Sequence, residues 1–382
     1  MFCKFLTNTY HFTYDNVKPC CWIKHTPQTQ VNILDIDKIK ETFLNLNKVD
    51  DWLPECSYCY DLEKAGTDSP RTISNTNTSV YTNNDPIGDP IKIELQLDDD
   101  CNAACLMCGT WNSTTWQQYE TKTLKLKSPT YRWNTTVEDR INTVTEIIDF
   151  SKVKQIHFFG GEPFKTNTQL RMLKLVKNPK DVNLVYVTNG SLFPCEETLE
   201  LWKKFGDVNV AVSIDAIGEQ FNYLRWPLQW HQVEANLEKY FLLKHSNLVI
   251  NLSFTATPFN MFYIDTYTEW AKKFAIGKHN TTKIEKWFLN PHPVVGLEMN
   301  MNSIPPALQE VIKQKYGEDS RISKIMSPFD VQKCQYMLNY INYHDRHRKS
   351  NWKEVFPEIV DYFDMDKLSP VPKYKVWEIK SI

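Results

Sequence analysis

Six β-rich runs alternate with helical patterns between residues 91 and 290, and no other feature restricts the fold as strongly. The runs are 91–97 (IKIELQL), 154–159 (KQIHFF), 182–188 (VNLVYVT), 208–214 (VNVAVSI), 248–255 (LVINLSFT) and 284–290 (IEKWFLN). Helix-like segments lie between them near 137–150, 167–178, 196–206, 230–245 and 261–275. Strands separated by single helices imply βαβ units, which cross over right-handed into a parallel sheet. Six units fit either a partial (β/α) barrel or an open doubly wound sheet. In both, reactive groups collect at the carboxyl ends of the strands.

The flanks read differently. Residues 60–90 are dense in Ser, Thr, Asn, Gly and Pro, the composition of a loop or linker. The tail is expected to be mostly helical. Its 303–317 segment has prolines at a helix start and Gly317 at its stop, and a second helix is expected over 328–346. The expected organisation is a cysteine-rich segment with its linker (1–85), an α/β core (86–295) and a helical region (296–382).

The chemistry-bearing motifs fall at the expected strand ends. A loop with Cys101, Cys105 and Cys108 follows the first run, and GGEP (160–163) follows the second. TNG (188–190) closes the third, SID (213–215) ends the fourth, and Asn251 lies in the fifth. Five separate segments would therefore meet on one rim.

Composition sets the compartment and excludes some partners. A net charge of -2 argues for neither nucleic acid nor an anionic membrane surface. The N-terminal residues lack the apolar run of a signal peptide, so a cytoplasmic location is expected. Ten cysteines in a reducing compartment are not a disulfide framework. Cys195 and Cys334 stand alone and read as ordinary free thiols.

Thiolates suit zinc, copper(I) or iron–sulfur clusters. A structural zinc site is closed by four ligands, and the 101–108 loop has three cysteines, so zinc would need a fourth group from elsewhere. On a four-iron cube, three cysteines leave one iron open to a substrate or cofactor.

The spacing Cys-x3-Cys-x2-Cys, with FFGGEPF (158–164) at the end of the next strand, resembles the radical S-adenosylmethionine (SAM) superfamily. Met107 stands where that superfamily often has an aromatic. The resemblance implies a partial (β/α)6 barrel and an Fe4S4 cluster on Cys101, Cys105 and Cys108. SAM would chelate the open iron, and its reductive cleavage would give methionine and a 5′-deoxyadenosyl radical that abstracts hydrogen from substrate. It also implies a reductase partner such as flavodoxin or ferredoxin. Gly160, Gly161, Glu162 and Pro163 are expected to cradle SAM, with Glu162 accepting from its ammonium. Asn189, Ser213, Asp215, Arg225 and Asn251 are the further candidates for SAM contact, the guanidinium of Arg225 suiting a carboxylate.

Five more cysteines, at 3, 20, 21, 56 and 59, precede the core. Four of them could close a second site, and ligand type allows zinc or iron–sulfur. The arrangement resembles the twitch or SPASM-type auxiliary-cluster segment of some radical SAM proteins. There a Gly-x4-Cys is followed by Cys-x2-Cys and then acidic, Gly, Ser and Arg positions, as in 59–71 (CYDLEKAGTDSPR). Asp15 stands where the glycine would be. The resemblance implies an auxiliary Fe4S4 cluster on Cys3, Cys20, Cys56 and Cys59. It also makes a peptide or protein substrate the first expectation and a small metabolite the second. The contrasting reading is a binding protein stapled by zinc.

Overall fold

The computed structural model describes residues 3–368 apart from 25, 27–28, 34, 47–50, 65, 67, 77–79, 81–89, 128–133, 244, 276–282, 285–291, 294–298 and 319. Its centre is one sheet. Five of the expected runs form β4 (Lys92–Gln96), β5 (Gln155–Phe158), β6 (Asn183–Thr188), β7 (Val208–Ser213) and β8 (Leu248–Ser253), all parallel to their neighbours. Of the sixth run only Ile284 is described; it belongs to a short strand, Lys283–Ile284, that pairs with β8, and 285–290 lie outside the described residues.

The strands follow one another across the sheet in chain order, 4-5-6-7-8. A doubly wound sheet would reverse direction at a switch point. The unreversed order is that of a partial barrel, and the α/β architecture expected for the core is the one found.

Alternation along the strands explains how they are held. Ile156, Phe158, Leu184, Tyr186, Val208, Val210 and Val212 are buried in one core with Val144, Met172, Trp202, Val233 and Leu237 from the intervening helices. The other face carries His157, Val185, Val187, Asn209, Ala211 and Ser213, all half-buried. A period of two thus separates a helix-covered face from a more open one.

The N-terminal residues extend this sheet. Strands β1 (Thr9–Thr13), β2 (Asn16–Lys18) and β3 (Val31–Asn32) precede β4 in the chain, and β1 pairs parallel with β4. Periodicity gave no sign of β1, because all five of its residues are buried and no polar alternation marks a face.

The linker reading of 60–90 needs correction. Helices Ser57–Lys64 and Pro70–Thr76 occupy much of its first half. The polar residues that suggested a loop are helix-capping groups. Ser69 N donates to Thr72 Oγ1 at 2.9 Å and Thr72 N to Ser69 Oγ at 3.1 Å, with Pro70 opening the helix. Beyond the core, helices Pro306–Tyr316 and Val331–Arg348 realise the two expected in the tail. Among the described residues no helix is long and apolar enough to cross a membrane.

A buried charged group spans β1, β4 and β5. His11, Glu94 and His157 are direct cross-strand partners. His11 Nδ1 lies 3.1 Å from Glu94 Oε2, Lys92 Nζ 2.7 Å from Oε1, and His157 Nδ1 3.8 Å from Oε1. Burial alone would raise the Glu94 carboxyl; Lys92 and the two imidazoles outweigh it and hold the group well below its usual range. Burial pushes His11 down to about 4 against the pull of Glu94.

That depression has a measurable consequence. Below its ordinary value near 6.5 the unfolded imidazole takes up a proton that the folded one refuses. Stability is therefore lost as pH falls from about 6.5 through 4, by on the order of 3 kcal/mol from His11 alone. Urea unfolding of the reduced, metal-free chain at pH 7.5, 5.5 and 4.5 measures this, and a flat profile would refute it.

Candidate active site

The loop after β4 is positioned by backbone bonding on both sides. Ala104 N donates to Trp226 O at 2.7 Å and Leu106 N to Leu224 O at 2.9 Å, so the loop lies along residues 224–226 like an added strand. At its start Thr114 Oγ1 accepts from Cys101 N, and Thr115 Oγ1 donates to Cys101 O at 2.6 Å.

Cys101 and Cys105 are buried and Cys108 half-buried. Burial raises all three thiols, Cys108 to about 12, and neighbouring thiols add to the rise at Cys101 and Cys108. The three sulfurs are thus within electrostatic reach of one another. Among the described residues no three Cys, His, Asp or Glu side chains are arranged as a metal site. The donor chemistry nonetheless fits a cationic cluster: crowded, buried thiols disfavour the thiolate until a metal compensates its charge.

GGEP packs directly against this loop. Gly160 and Gly161 have φ of +89° and +26°. A Cβ on Gly161 would meet Asp100 O at 2.7 Å and Asp98 O at 2.8 Å. The close approach that glycine permits here is to the backbone leading into Cys101. Glu162 N donates to Asp100 O at 2.9 Å, and Pro163 follows in the turn.

The Glu162 carboxylate is buried and already engaged. Thr188 Oγ1 donates to it at 2.7 Å and Asn189 N at 2.8 Å. Burial raises it to about 7 in spite of these donors. Asn189 continues the chain of contacts, its Nδ2 donating to Asn102 Oδ1 at 2.9 Å and lying 3.9 Å from Cys101 Sγ.

Asp215 and Arg225 form a buried pair, Arg225 Nη2 lying 2.6 Å from Asp215 Oδ2. Arg225 Nη1 lies 3.8 Å from Cys105 Sγ, and Thr255 N donates to Asp215 Oδ1 at 2.8 Å. GGEP, TNG, SID and Arg225 are therefore joined to the three-cysteine loop through direct contacts. Ser213 is half-buried opposite Ser253 in register, at the end of β7. Asn251 stands apart, two residues further into the sheet, where its Nδ2 donates to Asn209 Oδ1 at 2.6 Å.

A second set of thiols lines a pocket with about 340 Å³ of empty space. Its walls include Cys3, Cys20, Cys56 and Cys59, with Phe5, Trp52 and Arg71. Cys21 is not in this lining. Burial, with repulsion from neighbouring thiols, pushes Cys3 and Cys56 up to about 12. Glu63 accepts from Ser69 Oγ at 2.5 Å and from Arg71 Nε at 2.9 Å. The acidic, Ser and Arg positions of the motif thus fold 59–71 back so that Arg71 reaches the pocket.

Asp15, the departure from glycine, has its own partners. Its carboxylate accepts from Asn134 N at 3.0 Å, Thr135 N at 3.0 Å and Thr135 Oγ1 at 2.7 Å. A glycine would leave those donors unmet.

Residues absent from the sequence reading also hold the site. Trp116 Nε1 donates to Cys105 O at 3.0 Å, Arg348 Nη2 to Ala104 O at 2.9 Å, and Tyr340 Oη to Leu106 O at 3.3 Å. No local pattern marks them, since two lie more than 230 positions from their acceptors.

Residues 97–266, which hold the three-cysteine loop, GGEP, TNG, SID and Arg225, match the Radical SAM superfamily, and that match implies an Fe4S4 cluster and SAM for this part of the chain. Solved structures with a distant likeness include Streptococcus suis SuiB bound to its precursor peptide SuiA, at 13% identity and a TM-score of 0.36. The likeness covers 84% of this chain and 56% of that one. S. suis SuiB bound to S-adenosylmethionine is similar at 11% identity and a TM-score of 0.34, over 86% of this chain and 62% of that one. TYW1 with a lysine–pyruvate adduct follows at 12% identity and 0.29, over 58% and 74%. No curated protein sequence matches the chain.

Proposed function

We propose that this protein cleaves SAM reductively at a four-iron cluster held by Cys101, Cys105 and Cys108, and uses the resulting radical on a peptide or protein. The observation that carries this is the contact network in which Asn189 and Arg225 reach the three-cysteine loop directly and Glu162 reaches it through Asn189. When bound, the cluster and SAM supply the electron transfer and the hydrogen-abstracting radical.

The chain's own residues bind and orient. Trp116, Arg348 and Tyr340 hold the loop by its carbonyls, and the glycines seat GGEP on its entry. Burial raises Glu162 to about 7, and an ammonium beside it would offset that rise and favour the carboxylate. Arg225, paired to Asp215, keeps a guanidinium beside Cys105.

The second pocket belongs to the same reading as an auxiliary four-iron site on Cys3, Cys20, Cys56 and Cys59. Buried Lys18 and Lys92 lie on its side of the sheet, and both act electrostatically on Cys20. Cations placed there would offset the negative charge of a cluster with four thiolates. The peptide assignment rests on the resemblance of this segment to auxiliary-cluster segments that accompany peptide modification.

The test is anaerobic reconstitution followed by dithionite and SAM, with 5′-deoxyadenosine as the product measured. Zinc alone in the purified protein, with no product formed, would instead support a zinc-stapled binding protein. Cys56→Ala, which leaves three thiols at the second site, is expected to leave much of the SAM cleavage. Equal loss of cleavage in Cys56→Ala and Cys101→Ala would argue against separate roles for the two sites.

A further inference from the structure

The helix Val331–Arg348 ends on the first residue of the 348–358 stretch (RKSNWKEVFPE), and that residue reaches the back of the three-cysteine loop. The Arg348 guanidinium carbon sits 5.0 Å from the Trp116 ring centre, 5.0 Å from Tyr119 and 4.9 Å from Trp226. Nη2 donates to Ala104 O, one residue before Cys105. Nε and Nη1 are buried without hydrogen-bond partners among the described residues. The nearest carboxylate on the same helix, Asp345, is engaged elsewhere, accepting from Ser350 Oγ and Trp352 N at 2.8 Å each.

Two guanidiniums therefore face Cys105, and they differ in kind. Arg225 is neutralised by its ion pair with Asp215. Arg348 is surrounded by aromatic faces, which attract a cation without cancelling its charge.

We propose that Arg348 is a positioning residue of the cluster site: its aromatic cage fixes an unpaired cation behind the three-cysteine loop and eases reduction of the cluster bound there. The inference rests on the proposed function. An electron added to a cluster is stabilised by a nearby positive charge, and low local polarity strengthens the effect. Placing the cation on the C-terminal helix also makes that helix part of the redox site rather than a covering layer.

The experiment is a redox titration of anaerobically reconstituted holoprotein followed by electron paramagnetic resonance. The signal that changes on adding SAM identifies the open cluster. Arg348→Gln is expected to move its midpoint to more negative potential and to slow dithionite-driven 5′-deoxyadenosine formation several-fold. Arg348→Lys, which keeps the charge, is expected to restore the wild-type midpoint. Arg346→Gln, which removes an exposed charge from the same helix, should leave the midpoint unchanged.

An unshifted midpoint in Arg348→Gln, or equal shifts in the Gln and Lys variants, would overturn the proposal. A shift in Arg346→Gln as large as in Arg348→Gln would overturn it too, since any charge on the helix would then suffice. Should Arg348→Gln fail to load iron, Arg348→Lys decides: a wild-type midpoint supports the charge role, and failure to load refutes it. A wild-type protein with no SAM-responsive four-iron signal overturns the proposed function itself. A normal wild type with an unshifted Gln variant overturns only this inference.

Discussion

Replacing Cys101 by alanine is expected to abolish 5′-deoxyadenosine formation, leaving product at the level of a reaction without protein. Three thiols leave one iron of a cube open; with two, a second iron loses its protein ligand and the loop's hold on the cluster fails. Asn189 Nδ2 lies 3.9 Å from the Cys101 sulfur. The loss should not come from unfolding. The loop's backbone is held by Trp226 O, Leu224 O, Trp116 and Arg348, none of which uses the Cys101 sulfur. Circular dichroism and urea unfolding of the metal-free variant should match the parent closely, while iron content falls by one cluster. Residual SAM cleavage in a folded Cys101→Ala protein would remove the three-cysteine loop from the mechanism.

Glu94→Ala is expected to have the largest effect on stability, lowering it by about 3–5 kcal/mol. Glu94 is the carboxylate of this buried group, with Lys92 at 2.7 Å and His11 at 3.1 Å. Removing it takes that carboxylate away from a buried ammonium and two imidazoles. The imidazoles can stay neutral, but the lysine must either remain charged without its carboxylate or lose its proton. β1 joins the sheet only through β4 and β2, so loosening its junction with β4 would disturb the N-terminal thiols as well. Urea midpoints of the metal-free proteins at pH 7.5 measure the change. Glu94→Gln should fall between parent and alanine variant, because it keeps the side chain's shape and one acceptor oxygen and loses the charge. A difference below about 1 kcal/mol would mean that the group contributes little net stability.

Much of the site was visible along the chain because its parts are local. The cysteine spacing, GGEP, TNG and SID are each contiguous, and each follows or ends a strand that its own alternation reveals. What escaped notice was made of distant partners. Trp116, Tyr340 and Arg348 look like ordinary aromatic and basic residues until folding brings them to the carbonyls of 104–106. The role of Asp15 was hidden in the same way, since its acceptor atoms meet donors about 120 residues later.

The sequence by itself determined the alternation of strands and helices, and it placed the cysteine loop, GGEP, TNG and SID at strand ends. Both follow from periodicity over a few residues, which local backbone geometry turns directly into buried and open faces. Only the tertiary structure decided the strand order, the addition of β1 beside β4, and the pairing of His11 with Glu94. It alone decided that Cys20 rather than Cys21 lines the second pocket. These are long-range choices. They depend on which surfaces bury one another and which buried charges find partners, and no window of neighbouring residues contains that information.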